Sequence, residues 1–221
     1  YQHVKKNLGK GKKILVEFIT KAHAEEFYNK ALDIRTEIYP SKHPMVLSTL
    51  NNIAQVYASE ERNAEAINLF EAVIRDYCGD SQEDSSFLAT VYDNLSTVYR
   101  ETEQYKDALN VCEKGLNMRK VIYGEQSGDY AISLNNLALI YYRMGKLKKA
   151  ADVFNHALDI KKKVFPEIHG QISVGYFNLG LVYDELHMDK EALDNYRASM
   201  EIDNKLGAYE DVLLTAEYAA E

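Results

Sequence analysis

The chain has no tryptophan, only two cysteines and only three prolines in 221 residues. Cys78 and Cys112 are too few for a disulfide framework, and free thiols in a reducing compartment are expected. With proline confined to Pro40, Pro44 and Pro166, long uninterrupted helices are permitted. Basic charge is also short: the formal net charge is −8, with a pI near 5.3. A phosphate-backbone partner needs a basic stripe, so no nucleic-acid partner is expected. Apolar runs extend only a few residues, far short of a bilayer span, so no membrane insertion is expected. No N-terminal stretch has the form of a secretory signal. The compartment expected is intracellular and reducing, with the cytoplasm favoured. Because the chain opens on Tyr1, a fragment or processed form is expected, and an organelle stays open.

Catalytic and metal signatures are missing as well. His3, His23, His43, His156, His169 and His187 are scattered, and none sits at a recognised ligand spacing from another His, Cys or carboxylate. No nucleophile–base set, paired-carboxylate site or phosphate loop is legible. The expectation is therefore no enzyme, no catalytic residue, no metal and no cofactor.

What the chain has is repetition. "LNNIAQVY" (50–57), "YDNLSTVY" (92–99), "LNNLALIY" (134–141) and "YFNLGLVY" (176–183) fall into register with a constant step of 42 residues. Asn52, Asn94, Asn136 and Asn178 form one track, and Tyr57, Tyr99, Tyr141 and Tyr183 a second. Ala66, Ala108, Ala150 and Ala192 form a third, which reaches back to Ala24. Inside one unit, Leu134, Leu137, Ala138 and Tyr141 lie at i, i+3, i+4 and i+7, the signature of one helix face. "RMGKLK" interrupts, with Gly145 suited to a tight turn. A second stripe follows through Ala150, Val153, Phe154, Ala157 and Leu158, with Lys161 at its edge. Each unit is thus two antiparallel helices, A then B. The spacers between units are "GDSQEDSS" (79–86), "GEQSGD" (124–129) and "PEIHG" (166–170), and Asp129 is the expected N-cap of a helix opening at Tyr130. Ala54, Ser96, Ala138 and Gly180 on helix A, facing the alanine track on helix B, let the two helices approach closely. A lone pair cannot bury its apolar face, so neighbours must stack.

These residues resemble the tetratricopeptide repeat: large–x2–Leu–small–x2–Tyr, then Ala–x3–aromatic, met by Leu134, Leu137, Ala138, Tyr141, Ala150 and Phe154. The step of 42, rather than about 34, together with "NNLA" and His43-Pro44, is similar to the kinesin-light-chain type of that repeat. The resemblance implies an all-α, right-handed solenoid of antiparallel helix pairs spanning 1–221. Its expected parts are a degenerate helix or N-terminal cap (1–22), helix B of a partial repeat (23–42), four full repeats (43–84, 85–129, 130–170, 171–207) and a C-terminal capping helix (208–221). Some positions depart from the pattern. Glu61, Glu103 and His187 replace the turn glycine, and Cys112 and Gly115 mark the second repeat as the loosest.

In the resembling family, helix A residues turned away from helix B line a concave peptide groove. Carried over, that register gives Asn52, Asn94, Asn136 and Asn178, with Arg100, Leu139, Tyr142, Arg143, Phe177 and Leu181. Asparagine costs a helix interior about 0.6 kcal/mol relative to alanine, so four at one position suggest a task. Either the amides hold an extended backbone, or each bonds to a neighbouring helix. The second half of the face is apolar (Ile132, Leu139, Tyr142, Val174, Phe177, Leu181), and it either receives a partner or lies beneath the 208–221 helix. The carboxylate clamp of related chaperone-binding repeats needs lysines beside the asparagines, where this chain has Asn51, Asp93, Asn135 and Phe177. "KLKK" (146–149) and "KKK" (161–163) read as a solvated outer face. The function expected is a non-catalytic scaffold binding an extended or partly helical protein segment of some basic character. An architectural subunit of a larger complex and the sensing module of a larger signalling protein stay open beside it.

Overall fold

The computed structural model describes residues 23–77 and 82–219. Among these, every regular element is a helix. They are α1 (23–38), α2 Pro44–Ser59, α3 Asn63–Asp76, α4 Gln82–Glu101, α5 Tyr105–Tyr123, α6 Gly128–Arg143, α7 Leu147–Val164, α8 Gly170–Glu185, α9 Asp189–Leu206 and α10 Tyr209–Tyr218. The fold class is the all-α array of helix pairs that the period predicts. The chain divides into two compact units, 1–98 and 99–221, with the division inside α4. The expected cap over 1–22, and Cys78, lie outside the described residues.

In the first unit α2 packs on α3. Arg62 ties the turn between them to α1: it forms ion pairs with Glu65 (2.7 Å) and Glu25 (3.0 Å) and lies 3.8 Å over the Tyr57 ring. In the second unit each helix from α5 to α10 packs on the next. Its core holds Ala138, Phe154, Leu158, Ile172, Leu179 and Val182, all buried. The alanine track is at the contact as expected, with Ala66, Ala108 and Ala150 at 0 % exposure and Ala192 at 3 %.

The A-to-B turn explains why a glycine suffices once and is replaced three times. Gly145 has φ +70°, and Glu61, Glu103 and His187 take the same left-handed conformation at +61°, +61° and +57°. Three side chains thus accept a strained φ because the helix pairing on either side dictates it. Gly207, at φ +73°, makes the same kind of turn from α9 into α10. The connections between repeats work differently. His43 and His169 cap α2 and α8, each accepting on Nδ1 from the backbone N–H two residues on (Met45, 3.2 Å; Gln171, 3.1 Å). Each ring is stacked by an aromatic four residues earlier, Tyr39 at 4.1 Å and Phe165 at 4.3 Å.

Three local expectations are corrected. The cap of α6 is Ser127, accepting from Tyr130 N–H at 3.2 Å, and the helix opens at Gly128. Asp129 falls in the first turn, where its carboxylate suits the helix dipole and meets Arg119 at 2.9 Å. Residues 82–86, expected as spacer, already belong to α4. Lys161 is not on a solvated face: it is 1 % exposed, while Lys162 lies over the Tyr176 ring at 4.7 Å and Lys163 is exposed. The second-repeat helix α5 shows no opening at its departures, since Cys112 is fully buried with Sγ 4.0 Å from the Ser133 carbonyl.

Candidate protein-interaction face

The four asparagines of the 42-residue track are not equivalent in the fold. In the first unit, Asn94 Nδ2 donates to Asn51 Oδ1 at 3.2 Å, and Asn51 Nδ2 donates to Asn52 Oδ1 at 3.4 Å. In the second, Asn178, 7 % exposed, donates to Asn135 Oδ1 at 3.1 Å. Asn94 and Asn178 are thereby engaged with the preceding A helix, each across a separation of 43 residues. Asn136 is half-buried, and no hydrogen bond reaches its side chain among the described residues.

On α6, Asn136 shares a helical face with Leu139, Tyr142 and Arg143. Leu139 and Tyr142 are half-buried and packed against the core from its edge, and Arg143 is exposed. Leu181 of α8 is half-buried, and Arg100 is paired with Glu101 at 2.6 Å. Burial, then the Glu185 charge, raises the Tyr142 phenol above its ordinary range. Phe177 is not open. The Tyr218 ring of α10 meets it edge-on at 5.5 Å, and Tyr196 lies 6.0 Å away in the same cluster. Of the two alternatives left open for the apolar face, α10 lies against it at Phe177, while Leu139, Tyr142 and Leu181 keep part of their surface.

Sequence reasoning missed the aromatic cluster of Phe177, Tyr196 and Tyr218. Tyr218 lies beyond the four full repeats, and the usable signals were its place one 42-residue step after Tyr176 and the excess of 17 tyrosines over 7 phenylalanines. The Tyr196 hydroxyl is buried with no hydrogen-bond partner among the described residues, and burial raises its pKa well above the usual tyrosine range. Among the described residues no group of His, Cys, Asp or Glu is arranged to hold a metal, and no helix is long and apolar enough to cross a membrane.

The tetratricopeptide-repeat family model matches residues 22–78 and 87–163. No curated protein shows significant sequence similarity. Among solved structures, a Podosopora anserina putative kinesin light chain with nearly identical TPR-like repeats superposes with TM-score 0.66 at 18% identity, covering 86% of this chain and 90% of that one. BtubC (BKLC) from P. vanneervenii gives 0.71 at 16% identity, covering 90% and 84%. YrrB, a TPR protein with an unusual peptide-binding site, gives 0.53 at 18% identity, covering 93% and 88%. The chain belongs to the tetratricopeptide-repeat family, with repeats that step by 42 residues.

Proposed function

We propose that the chain is a non-catalytic scaffold that binds an extended or partly helical protein segment on the A-helix face of its second unit. The observation that carries this is the contrast among the amides. Asn178 is spent on the fold, whereas Asn136 is uncommitted beside the partly exposed Leu139 and Tyr142. An amide with a free donor and acceptor meets a peptide backbone of any sequence, and the flanking apolar surface supplies affinity. Repeat solenoids characteristically bind on such faces, and YrrB is a fold relative with a peptide-binding site. A reducing compartment suits the buried thiol of Cys112.

The test is selection of peptides from a displayed library on the immobilised chain, followed by affinity measurement against Asn136→Ala and Tyr142→Ala. Each lost contact should cost on the order of 1–2 kcal/mol, about tenfold in affinity. Peptides that bind the folded double variant as tightly as the parent would remove this face as the site.

A second reading, the architectural subunit, is favoured by a different observation. Phe27, Ile34 and Ile38 of α1 are 67 %, 59 % and 65 % exposed, an apolar row suited to permanent packing in an assembly. Analytical ultracentrifugation of Phe27→Glu/Ile34→Glu against the parent distinguishes it, because only this reading requires that row for assembly.

A further inference from the structure

Helix α10 leaves a cavity of about 300 Å³ between itself, α8 and α9. Its walls carry opposite characters. Phe177 and Leu214 are apolar, whereas Ser173, Ser199, Asp203 and Asp211 are polar. Asp203 is 6 % exposed. Its carboxylate accepts from Ser199 Oγ at 3.4 Å, and that hydroxyl lies 2.9 Å from Ser173 Oγ. No cation reaches Asp203 among the described residues, and the acidic side chain of Asp211 lines the same space. A carboxylate taken out of water without a counter-charge is costly, and a second one nearby adds to the cost.

The repeat carries a cation at this position elsewhere, Lys161 one step earlier and Arg119 two steps earlier. Arg119 sends Nη1 2.9 Å to Asp129 of the following helix. At Asp203 the sign is reversed, and α10 answers with a carboxylate where a cation would fit.

We propose that this cavity receives the guanidinium of an arginine side chain presented by the partner segment. This rests on the scaffold reading above and names the chemistry of one anchor. Two carboxylates and two hydroxyls supply acceptors for the five N–H donors of a planar fork. Phe177 and Leu214 line the path of the methylene stem. A lysine ammonium satisfies fewer of these acceptors, so arginine is preferred.

The experiment titrates the full chain with N-acetylarginine amide, followed by NMR and by thermal melting. Saturable shifts confined to α8, α9 and α10, with a rise in Tm, are expected. The neutral isostere N-acetylcitrulline amide should bind at least tenfold more weakly. Asp203→Asn should lose at least tenfold in affinity for the arginine amide while melting no lower than the parent without it. A merely structural carboxylate would lower the melting point instead. Should Asp203→Asn fail to fold, Asp211→Asn, an exposed position on α10, should weaken the arginine amide severalfold. Absence of saturation, equal binding of the citrulline amide, or unchanged affinity in the folded aspartate variants would overturn the proposal. The inner-face variants read a different set of side chains. Failure of arginine amide binding therefore sinks this inference alone, and failure of Asn136→Ala and Tyr142→Ala to weaken selected peptides sinks the groove reading alone.

Discussion

Gly180→Ala should destabilise the chain even though alanine is the better helix former. A Cβ built on Gly180 lies 2.4 Å from Tyr196 Cε1 and 2.5 Å from Cδ1. These are ring atoms of a side chain 1 % exposed, flanked by Phe177 and Tyr218 with centroids at 6.0 and 6.4 Å. The ring must retreat by about 1 Å to restore van der Waals separation, and its neighbours hold it. Overpacking of this kind costs about 1–3 kcal/mol, here toward the upper end. The better helix propensity of alanine returns about 1 kcal/mol. The net loss is about 1–2 kcal/mol, a Tm decrease of roughly 2–8 °C for a chain of this size. The register supplies the control. Ala138 in the preceding repeat shares its core with Phe154, so the larger small residue goes with the smaller ring. Tyr196→Phe removes a buried hydroxyl that has no partner among the described residues, which gives the ring room to withdraw. In a double-mutant cycle read by urea unfolding, Tyr196→Phe should therefore recover part of the Gly180→Ala loss. A Gly180→Ala chain as stable as the parent would show that the close approach does not limit residue size at 180.

Burial holds the Lys161 ammonium down to about 8. Since the folded pKa lies below the unfolded value of 10.5, the penalty is full below pH 8 and fades as pH rises through 10.5. Lys161→Met should thus stabilise the chain near neutrality by on the order of 3 kcal/mol, with the advantage gone by about pH 10.5 in melting curves; a pH-independent difference would refute it. Glu103→Gly relieves a left-handed φ costing about 1–2 kcal/mol against a glycine entropy cost of about 0.5–1 kcal/mol, so urea unfolding should show a gain of about 0.5–1 kcal/mol, and a loss would mean the turn carries no strain. Asn178→Ala should cost about 1 kcal/mol by stranding Asn135 Oδ1, while Asn136→Ala should leave stability unchanged or slightly raised; equal losses at the two sites would erase the distinction between structural and available amides.

The parts of the fold that were legible in sequence are those where backbone geometry leaves few choices. Ala66, Ala108 and Ala150 had to be small, and the turn positions had to be shared even where Glu61, Glu103 and His187 replace glycine. What escaped depended on choices between chemically similar neighbours. Ser127 and Asp129 are both good caps, and only the backbone shows which one precedes the first turn. Lys161 reads as solvent-facing by type, yet the B-helix face carries it inward. The candidate site was half legible for the same reason. Register placed Asn136, Leu139 and Tyr142 on one face, but the cover over Phe177 comes from Tyr218, on a helix beyond the four full repeats.

The amide pairs show a deeper order in the repetition. Asn94 bonds to Asn51 and Asn178 to Asn135, so the acceptor is not the track asparagine of the preceding A helix but the residue before it. In both pairs that acceptor is the first residue of an Asn-Asn doublet, at 51–52 and 135–136. The intervening A helices have Asp93-Asn94 and Phe177-Asn178, each with tyrosine where the doublet helices have leucine: Tyr92 and Tyr176 against Leu50 and Leu134. The unit of self-similarity is therefore a pair of repeats 84 residues long, one helix offering an acceptor and the next the donor. In a doublet the first asparagine completes this bond, and the second is left outside it. At 52 the second amide still accepts weakly from Asn51, at 3.4 Å, whereas at 136 no hydrogen bond reaches it among the described residues. A helix position that disfavours asparagine has been filled twice over in each doublet, and interhelix bonding accounts for only one of the two. The residual amide at Asn136, set against Leu139 and Tyr142, is the one whose cost the fold itself does not offset.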